Sequence, residues 1–460
     1  MDRMENSILI NTDSYKVSMW KQYPEKTEYV YSYIESRGGQ YDKTVFFGVQ
    51  AFIKEYLLRP ITQAEIDFAD MFWTGHGEPF NREGWQYILD TYAGKLPVRI
   101  KAAPEGLVIP SKNVLATIEN TDPKCWWLTT WIETALLRAI WYPTTVATQS
   151  WEIKQLIKGY LERSGDVGGL GFKLHDFGAR GVSSNESAML GGMAHIINFM
   201  GTDTAVAIIG ANRYYGAPLN ATAFSIPAAE HSTITSWGRD NEIKAFENLV
   251  KQFGKEGGLV AGVSDSYNIF EAGRLWGKLK EQIKASGVTV VVRPDSGDPV
   301  EVLPKLFNIL GEEFGYTKND KGFKVLNNVR VIWGDGINYI SISAILRRVV
   351  DMDAWSADNI AFGMGGALLQ IVNRDTNKFA MKASAACVDG EWRQVFKDPI
   401  TDKGKVSKKG RVTLFMNSDG EYYSGVEDWD MRNEVLRTVF ENGELKNEMT
   451  FDQVRANSNA

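Results

Sequence analysis

The sequence predicts a mixed α/β protein with either a parallel α/β barrel or a doubly wound parallel sheet at its centre. The first observation is a series of short, β-prone apolar runs about 30–40 residues apart, which is the spacing expected of βα units. The second is that these runs end in polar residues or glycines, and that helical segments fill several gaps. The runs are "GFKLHDFGARG", "IINFMGTDT", "FSIPAAEHS", "GGLVAGVSDS", "TVVVRPDSGDP", "VRVIWGDGI" and "NIAFGMGGALL".

The helical segments follow directly from residue spacing. In "EIKAFENLVKQF", Ile243, Phe246 and Val250 recur at helical spacing and form one apolar face. A second helix is expected to begin at Pro299, because proline suits the first helical turn and Asp298 can cap its N–H groups. Strand, polar end and helix therefore alternate through the middle third of the chain.

Polar side chains at the strand ends predict a shared pocket. In a barrel, catalytic groups gather at the carboxyl ends of the strands. Any one of these charges could instead cap a helix or be solvated in a loop, but the whole set favours a pocket. The expected members are Asp203, His231, Asp265, Arg293, Asp295 and Asp335.

Two glycine-containing turns suggest what this pocket holds. In "FGMGGALLQ", Gly365 and Gly366 allow backbone N–H groups at a helix N-terminus to approach an anion, although a simple tight turn is the alternative. In "WGDGI", Asp335 follows Gly334 and could bind sugar hydroxyls. A rim of mixed charge suits phosphate, ribose and Mg²⁺, which binds mainly through substrate phosphates; a salt-bridge network is the alternative.

The ends of the chain differ from the middle. Residues 1–165 are rich in aromatic side chains and mix alternating strands with helical stretches, which predicts a separate α+β domain. Residues 166–373 carry the βα rhythm, and residues 374–460 return to short strands and turns. We expect the last segment to pack on the N-terminal domain.

Composition excludes several classes of protein. The net charge of −6 argues against a nucleic-acid partner, and no apolar run is long enough to span a membrane. Two cysteines, Cys125 and Cys387, cannot form a disulfide framework, and the N-terminus lacks a signal peptide pattern, so a cytoplasmic location is expected. The four histidines lack the spacing of a zinc or iron site.

In order along the chain, several motifs resemble the nicotinamide phosphoribosyltransferases of the nicotinate/nicotinamide phosphoribosyltransferase family. They are "TDSYK", "VYSYIESR", "KLHDFGARGVSS", "GTDT", "PAAEHSTITSWGRD", "SDSYNIF", "RPDSGDP", "GDGI", "FGMGGALLQ" and "VFKDP" with "SKKGR". The resemblance implies a type II phosphoribosyltransferase fold, which is an irregular α/β barrel with an additional α+β domain. It also implies a homodimer with composite active sites.

The implied reaction is the attack of the nicotinamide ring nitrogen on C1 of phosphoribosyl pyrophosphate, giving nicotinamide mononucleotide and pyrophosphate in NAD salvage. Mg²⁺ is the implied cofactor, and ATP is an implied facultative co-substrate whose hydrolysis stimulates the reaction. His231 matches a histidine that family members phosphorylate from ATP. A polar histidine at a strand end is the plainer alternative.

The resemblance also assigns roles to individual residues. Phe177 and the Tyr15 of a partner subunit would sandwich the nicotinamide ring, Asp203 would accept from its carboxamide N–H, and Arg180 would lie near ring and sugar. Arg293 and Asp295 would contact the phosphoribosyl group, and Asp265 would act behind them or on magnesium. Further substrate contacts are implied for Asp13, Gly334, Asp335, Gly365, Gly366, Arg37, Arg374, Lys382, Lys397 and Lys405.

Four positions depart from the family pattern. Ala179 and Met364 stand where tyrosine and serine are common, Ala261 replaces a serine that helps bind the carboxamide, and Ala380 replaces a serine near the phosphate cations. Ala261 affects the expected strength of nicotinamide binding, and Ala380 the details of phosphate binding. Two rival hypotheses are a nicotinate phosphoribosyltransferase, which Asp203 argues against, and a catalytically inactive nucleotide-binding relative.

Overall fold

The computed structural model describes residues 4–401, 405–427, 431 and 433–459, and these form two compact units. The first unit comprises Met1–Thr148, Ala211–Ala217 and Asn373–Ala460, and the second comprises Gln149–Gly210 and Pro218–Val372. The three-part division predicted at residues 165 and 373 stays a prediction. Each unit is described below by itself.

Most of the strands are short, and the two longest, β1 and β14, have 10 residues each. Their bounds are β1 Thr27–Ser36, β2 Lys43–Val45, β3 Val98–Ala102, β4 Val108–Pro110, β5 Val114–Asn120, β6 Leu174–Asp176, β7 Gly201–Thr202, β8 Leu259–Val263, β9 Thr289–Arg293, β10 Tyr316–Lys318, β11 Lys324–Leu326, β12 Val329–Trp333, β13 Ile360–Met364, β14 Phe379–Val388, β15 Glu391–Gln394, β16 Val412–Met416, β17 Tyr422–Val426, β18 Arg437–Glu441 and β19 Glu444–Leu445.

The helices vary more in length. Their bounds are α1 Val49–Phe52, α2 Gln63–His76, α3 Arg82–Tyr92, α4 Leu128–Ser164, α5 Asn185–Ile196, α6 Ala205–Tyr215, α7 His231–Thr235, α8 Glu242–Phe253, α9 Ile269–Lys278, α10 Lys280–Ser286, α11 Pro299–Phe314, α12 Tyr339–Leu346, α13 Gly366–Leu369 and α14 Phe451–Asn459. Within the described ranges, none of them combines the length and the apolar character that crossing a membrane requires.

The second unit is built on a parallel sheet with the strand order β7-β6-β13-β12-β9-β8. Residues 224–229 connect its two edge strands. Phe224 O accepts from Thr202 N–H at 3.0 Å next to β7, and Pro227 O accepts from Ala261 N–H at 2.9 Å on β8. These bonds close the sheet into an irregular barrel. The connecting segment forms bridges rather than a regular strand, because Pro227 has no N–H to donate.

Alternation along the barrel strands separates the interior from the surrounding helices. In β9, Val290 and Val292 are completely buried, whereas Val291 points to the barrel interior with Ala261 and Ile332. Phe177 and Ala361 pack against this small interior cluster. Alanines on two of the strands leave the interior incompletely filled, so the barrel encloses a cavity.

The predicted helices around the barrel are present. Helix α11 begins at Pro299, and Asp298 Oδ1 accepts from Val300 N–H at 2.9 Å. Helix α8 buries the face that includes Phe246, whose ring stacks on Trp276 of α9 with centroids 4.3 Å apart. Local sequence therefore sets both the start of a helix and the face that it buries.

The first unit contains an antiparallel sheet with the order β15-β14-β1-β5-β3-β18-β19. Strand β14 pairs with β1, and β18 pairs with β3, so C-terminal and N-terminal residues share one sheet. The aromatic residues noted in the sequence form its core. The buried indole rings of Trp73, Trp85, Trp127 and Trp131 meet edge to face, an arrangement that the quadrupoles of aromatic rings favour.

Candidate active site

The barrel encloses a cavity of about 510 Å³. Its wall is mainly apolar and includes Ala261, Val291 and Ile332. At the carboxyl ends of the strands, the lining residues include Phe177, Asp203 and Arg293, and at the opposite ends they include Lys173, Arg330 and Asp358. An apolar cavity with a few polar groups at its mouth is typical of a site for a small molecule.

Phe177 is fixed at the end of β6. Its N–H donates to Met364 O at 2.9 Å, and its ring faces the Arg293 guanidinium, whose carbon lies 5.6 Å from the ring centroid. A Cβ at Gly363 would lie 1.9 Å from the ring edge of Phe177, so this ring position requires glycine at 363. Gly363 was not predicted as a site residue, because nothing in the local sequence indicates which side chain packs over it.

Asp203 follows β7 and presents an open carboxylate oxygen. Its N–H donates to Asp176 O at 2.9 Å, and Ser225 Oγ donates to Asp203 Oδ1 at 2.5 Å. Among the described residues no hydrogen bond to the second oxygen, Oδ2, is found, and Asp203 is exposed where it lines the cavity. His175 lies nearby; burial lowers its pKa, which favours a neutral ring, and Asp203 opposes that effect.

Arg293 and Asp295 are joined at the end of β9. Arg293 Nη2 donates to Asp295 Oδ1 at 2.9 Å, and Asp295 N–H donates to Asp265 Oδ2 at 3.0 Å. Ser296 Oγ also donates to Asp265 Oδ2. The carboxyl ends of β8 and β9 therefore meet through one carboxylate.

His231 begins helix α7 and faces the same carboxylates. Its Nδ1 lies 3.1 Å from Ser266 Oγ, and its Nε2 lies 3.7 Å from Asp265 Oδ1 and 3.9 Å from Asp295 Oδ2. Its side chain is 49% exposed, so a reactant can reach the ring. Asp265 Oδ1 is buried and has no hydrogen-bond partner among the described residues. The structure thus brings together four of the predicted residues.

The two glycine turns lie beside these groups. A Cβ at Gly334 would lie 3.4 Å from Asp295 Oδ1. The next residue, Asp335, is exposed, and its main-chain O accepts from Trp333 Nε1–H. Gly366 begins α13, and a Cβ at Gly181 would lie 2.9 Å from Gly366 Cα. The Gly365–Gly366 turn therefore packs closely against the loop that carries the exposed side chain of Arg180.

Tyr15 and Asp13 lie in the first unit, on a turn attached to α4. Tyr15 is 61% exposed. Asp13 Oδ2 accepts from Thr134 Oγ1 at 2.7 Å, and the buried Lys16 pairs with Glu133 at 2.6 Å. One oxygen of Asp13 is therefore used within the fold, and the contacts on both sides of Tyr15 hold its ring in an exposed position.

The predicted phosphate-binding cations also lie in the first unit. Burial lowers the pKa of Lys382, Glu133 opposes this, and the neighbouring positive charges of Arg37 and Lys397 lower it further. These cations therefore share one electrostatic environment. Arg374 pairs with Asp375 at 3.2 Å, and Lys397 and Lys405 are exposed.

Two residues at or near the cavity were not predicted, the exposed Ser225 and the buried Asp176. Ser225 holds one oxygen of Asp203, as described above. Asp176 is completely buried; its Oδ1 accepts from Gly178 N–H at 2.7 Å and its Oδ2 from Thr202 Oγ1 at 3.4 Å. The "DFG" sequence offered a signal, because an aspartate often accepts from the N–H two residues later.

The departures from the family pattern have distinct positions. Ala261 lies in the cavity wall, where no side-chain hydroxyl is available. Met364 is buried and contributes its main-chain O to Phe177, so its side chain leaves that contact unchanged. Ala179 is exposed, and Ala380 lies on β14 opposite Glu35.

Two family models match this chain. The nicotinate phosphoribosyltransferase (NAPRTase) family model matches residues 172–444, and the N-terminal domain model of nicotinamide phosphoribosyltransferase matches residues 7–100. The nicotinamide phosphoribosyltransferase of Xanthomonas campestris pv. campestris is 54% identical over 465 residues, covering 99% of this chain and 98% of that protein. The protein of the same name from Acinetobacter baylyi is 33% identical over 485 residues, covering 96% and 95%.

Solved structures of low sequence identity share the fold. Nicotinate-nucleotide pyrophosphorylase from Pyrococcus furiosus gives a TM-score of 0.63 at 17% identity, covering 100% of this chain and 96% of that one. Human nicotinic acid phosphoribosyltransferase gives 0.59 at 14% identity, covering 97% and 93%. The predicted type II phosphoribosyltransferase fold, with its additional α+β region, is confirmed. The chain therefore belongs to the nicotinate phosphoribosyltransferase family and carries the N-terminal domain of its nicotinamide phosphoribosyltransferases.

Proposed function

We propose that this protein transfers the phosphoribosyl group of phosphoribosyl pyrophosphate to nicotinamide, giving nicotinamide mononucleotide and pyrophosphate. Membership of the family over the whole chain supports the reaction class. The observation that carries the choice of base is Asp203, which lines the same mainly apolar cavity as Phe177 and uses one carboxylate oxygen, Oδ1, to accept from Ser225. An anion at that place accepts from a carboxamide N–H and repels the carboxylate of nicotinate.

In the proposed reaction, the ring nitrogen forms a bond to C1 of the ribose as the bond from C1 to the pyrophosphate oxygen breaks. Positive charge develops on the ribose, and negative charge develops on the leaving group. Phe177 holds the ring, while the Arg293–Asp295 pair beside it holds the ribose phosphate end. Catalysis then depends on positioning and electrostatic stabilisation, and no covalent nucleophile is needed.

The remaining substrate contacts belong to the same proposal. Asp335 and Gly334 would bind ribose hydroxyls, and the Gly365–Gly366 turn would bind the 5′-phosphate through main-chain N–H groups. Arg180 would lie near the base and sugar. Cations of the first unit, which are Arg37, Arg374, Lys382, Lys397 and Lys405, would bind phosphates, several of them from a partner subunit that also supplies Tyr15 and Asp13.

Mg²⁺ fits this site as an ion carried mainly by the substrate. The donor set at β8 and β9 is oxygen, which Mg²⁺ prefers, and Asp265 Oδ1 is buried without a hydrogen-bond partner in the described structure. Within those residues, no group of three candidate ligands is placed to hold a metal by itself. Asp265 and Asp295 would hold the ion, which supplies charge neutralisation on the pyrophosphate.

ATP is proposed as a facultative co-substrate acting at His231. The ring is half exposed, and Ser266 contacts Nδ1, which leaves Nε2 directed at the Asp265 and Asp295 carboxylates. Phosphorylation would form a bond from a ring nitrogen to the γ-phosphorus of ATP as the bond to ADP breaks. A cytoplasmic location belongs to the same proposal, and the two free cysteines are consistent with a reducing compartment.

The test is to incubate the protein with phosphoribosyl pyrophosphate, Mg²⁺ and either nicotinamide or nicotinate, with and without ATP, and to identify products by mass spectrometry. Nicotinamide mononucleotide as the main product is expected, with a higher yield in the presence of ATP. Nicotinate mononucleotide as the main product would instead support the nicotinate-specific alternative. The absence of product from either base would support an inactive nucleotide-binding relative.

A further inference from the structure

We propose that Asp176 is a positioning residue for nicotinamide, because its buried carboxylate fixes the spacing between the Phe177 ring and the Asp203 carboxylate. The inference rests on the proposed role of those two residues in holding the base. Asp176 itself is completely buried behind the cavity and is not among its lining residues. It therefore acts through its neighbours rather than by touching substrate.

The first link runs from Asp176 to the aromatic ring. Asp176 Oδ1 accepts from Gly178 N–H at 2.7 Å, which closes a turn around the intervening Phe177. Phe177 N–H donates to Met364 O, so the main chain on both sides of the ring is fixed. The ring lies over Gly363, where no side chain obstructs it.

The second link runs from Asp176 to the carboxamide contact. Its main-chain O accepts from Asp203 N–H at 2.9 Å, and its Oδ2 accepts from Thr202 Oγ1 at 3.4 Å. Thr202 Oγ1 in turn accepts from Thr204 N–H at 3.0 Å. The residues on both sides of Asp203 are thus connected to the same buried aspartate.

The surroundings leave the carboxylate little freedom. A Cβ at Gly178 would lie 3.0 Å from Oδ1, and a Cβ at Gly192 of α5 would lie 3.4 Å from Oδ2. Burying an ionised carboxylate is unfavourable unless its oxygens accept hydrogen bonds. Here the two carboxylate oxygens of Asp176 accept from the segments that carry Phe177 and Asp203. The hydrogen bonds that make the burial of this charge possible therefore also position those two residues.

The primary test is Asp176→Asn, measured by steady-state kinetics in both substrates. The amide keeps the acceptor for Gly178 but places an N–H₂ group opposite the Thr202 hydroxyl, which then has no acceptor. We expect kcat/KM for nicotinamide to fall about tenfold. This is the effect of misplacing one charge-assisted hydrogen bond, here the proposed bond from the carboxamide N–H to Asp203. The KM for phosphoribosyl pyrophosphate should change less, by under about twofold, because most of its proposed contacts, including Arg293, Asp295 and Asp335, lie on other loops than the one that carries Phe177 and Arg180.

A matched control is Asp122→Asn in the first unit. Asp122 is also a buried carboxylate, and its Oδ1 accepts from the N–H two residues later, on Lys124, at the same 2.7 Å. It should alter stability without changing either KM. If both variants change the kinetics alike, or if Asp176→Asn weakens both substrates equally, the positioning role is wrong.

A milder pair of variants covers the case in which Asp176→Asn does not fold. Thr202→Val removes the donor to Oδ2 and should lower kcat/KM for nicotinamide severalfold, whereas Thr202→Ser keeps the hydroxyl and should behave like the parent protein. An equal effect of both would contradict the inference. Asp203→Asn, assayed in parallel, separates the two proposals. If Asp203→Asn leaves nicotinamide binding unchanged, the proposed binding site is wrong. If Asp203→Asn weakens binding but the variants at Asp176 and Thr202 do not, only the positioning role is wrong.

Discussion

The two carboxylate oxygens of Asp203 have different roles: one accepts a hydrogen bond within the fold, and the other is proposed to bind a ligand in the cavity. Ser225 Oγ donates to Oδ1 at 2.5 Å, which fixes the plane of the carboxylate and leaves Oδ2 for a ligand. A neutral side chain of the same shape would still accept one hydrogen bond, but it would no longer repel an anionic base. Preference for a neutral base over an acidic one is therefore a property that this single residue can control.

Asp203→Asn should narrow the preference for nicotinamide over nicotinate by about tenfold or more, because like-charge repulsion across a desolvated contact is worth at least about 1.4 kcal/mol. The measurement is the ratio of kcat/KM for the two bases. Asp203→Glu, which keeps the charge, serves as the control and should retain the preference. An unchanged ratio in Asp203→Asn would remove the role assigned to this carboxylate.

The buried carboxyl of Asp176 also makes stability depend on pH. Burial raises its pKa from 3.8 to about 6, and the negative charge of Asp203 adds to the shift, while Gly178 N–H and the Thr202 hydroxyl oppose it. The folded protein therefore holds this proton more tightly than the unfolded chain. Its stabilising contribution is complete below pH 3.8 and is lost as the pH rises through about 6.

The stability of Asp176→Asn relative to the parent protein should therefore increase as the pH rises from about 4 to about 6, by about 1.4 kcal/mol for each pH unit, and should level off above that. The measurement is the difference between the free energies of unfolding of the two proteins at each pH, which cancels other titrating groups. A difference that does not vary over this range would show that Asp176 titrates elsewhere.

At the scale of elements, the helix ends were predictable because their signals are local. Asp298 before Pro299 marks the start of α11 in the sequence, and the structure has the helix beginning there with Asp298 as its cap. The pairing of the segment that closes the barrel was not predictable in detail. Residues 224–229 form only bridges to β7 and β8, since Pro227 interrupts the pattern and the pairing partners are distant in sequence.

Asp298→Ala should destabilise the protein by about 1 kcal/mol, because the first N–H groups of α11 lose a side-chain acceptor. The free energy of unfolding in urea is the measurement, and Asp298→Ser, which keeps a capping oxygen, should lie close to the parent value. Equal stability of the alanine and serine variants would show that water replaces the cap without loss.

The polar strand ends predicted which of several charged side chains lie together, and the reason is topological. Parallel strands bring their carboxyl ends to one edge, so Asp265, Arg293 and Asp295 had to approach one another. Contacts that depend on packing were hidden. Gly363 beneath the Phe177 ring, and Ser225 beside Asp203, are set by side chains from strands and loops far away in sequence.

At the scale of the whole molecule, the proposed roles of Tyr15 and Asp203 fall in different compact units. Tyr15 is held in an exposed position by Asp13 and Lys16, which bind α4 on either side of it. An aromatic ring fixed in this way but not covered within its own unit is suited to stack on a planar ligand. A partner subunit that supplies this ring is the arrangement proposed for the homodimer.

Subunit mixing tests that arrangement directly. A Tyr15→Ala protein and an Asp203→Ala protein should each have low activity with nicotinamide. After the two are unfolded and refolded together, about half of the dimers should be mixed, and one of the two sites in a mixed dimer keeps both residues. Activity should therefore recover to about a quarter of the parent value, because one site in four is then intact.

The control for subunit mixing is each variant refolded alone, which should stay at its own low activity. If Tyr15 served the site of its own subunit, every site in a mixed dimer would still lack one of the two residues. Recovery would then be absent even though exchange had occurred, and exchange can be verified by mass spectrometry of differently tagged subunits. Recovery of activity thus depends on which subunit supplies the Tyr15 ring. It tests whether the site is shared between subunits, whatever each residue contributes to nicotinamide binding.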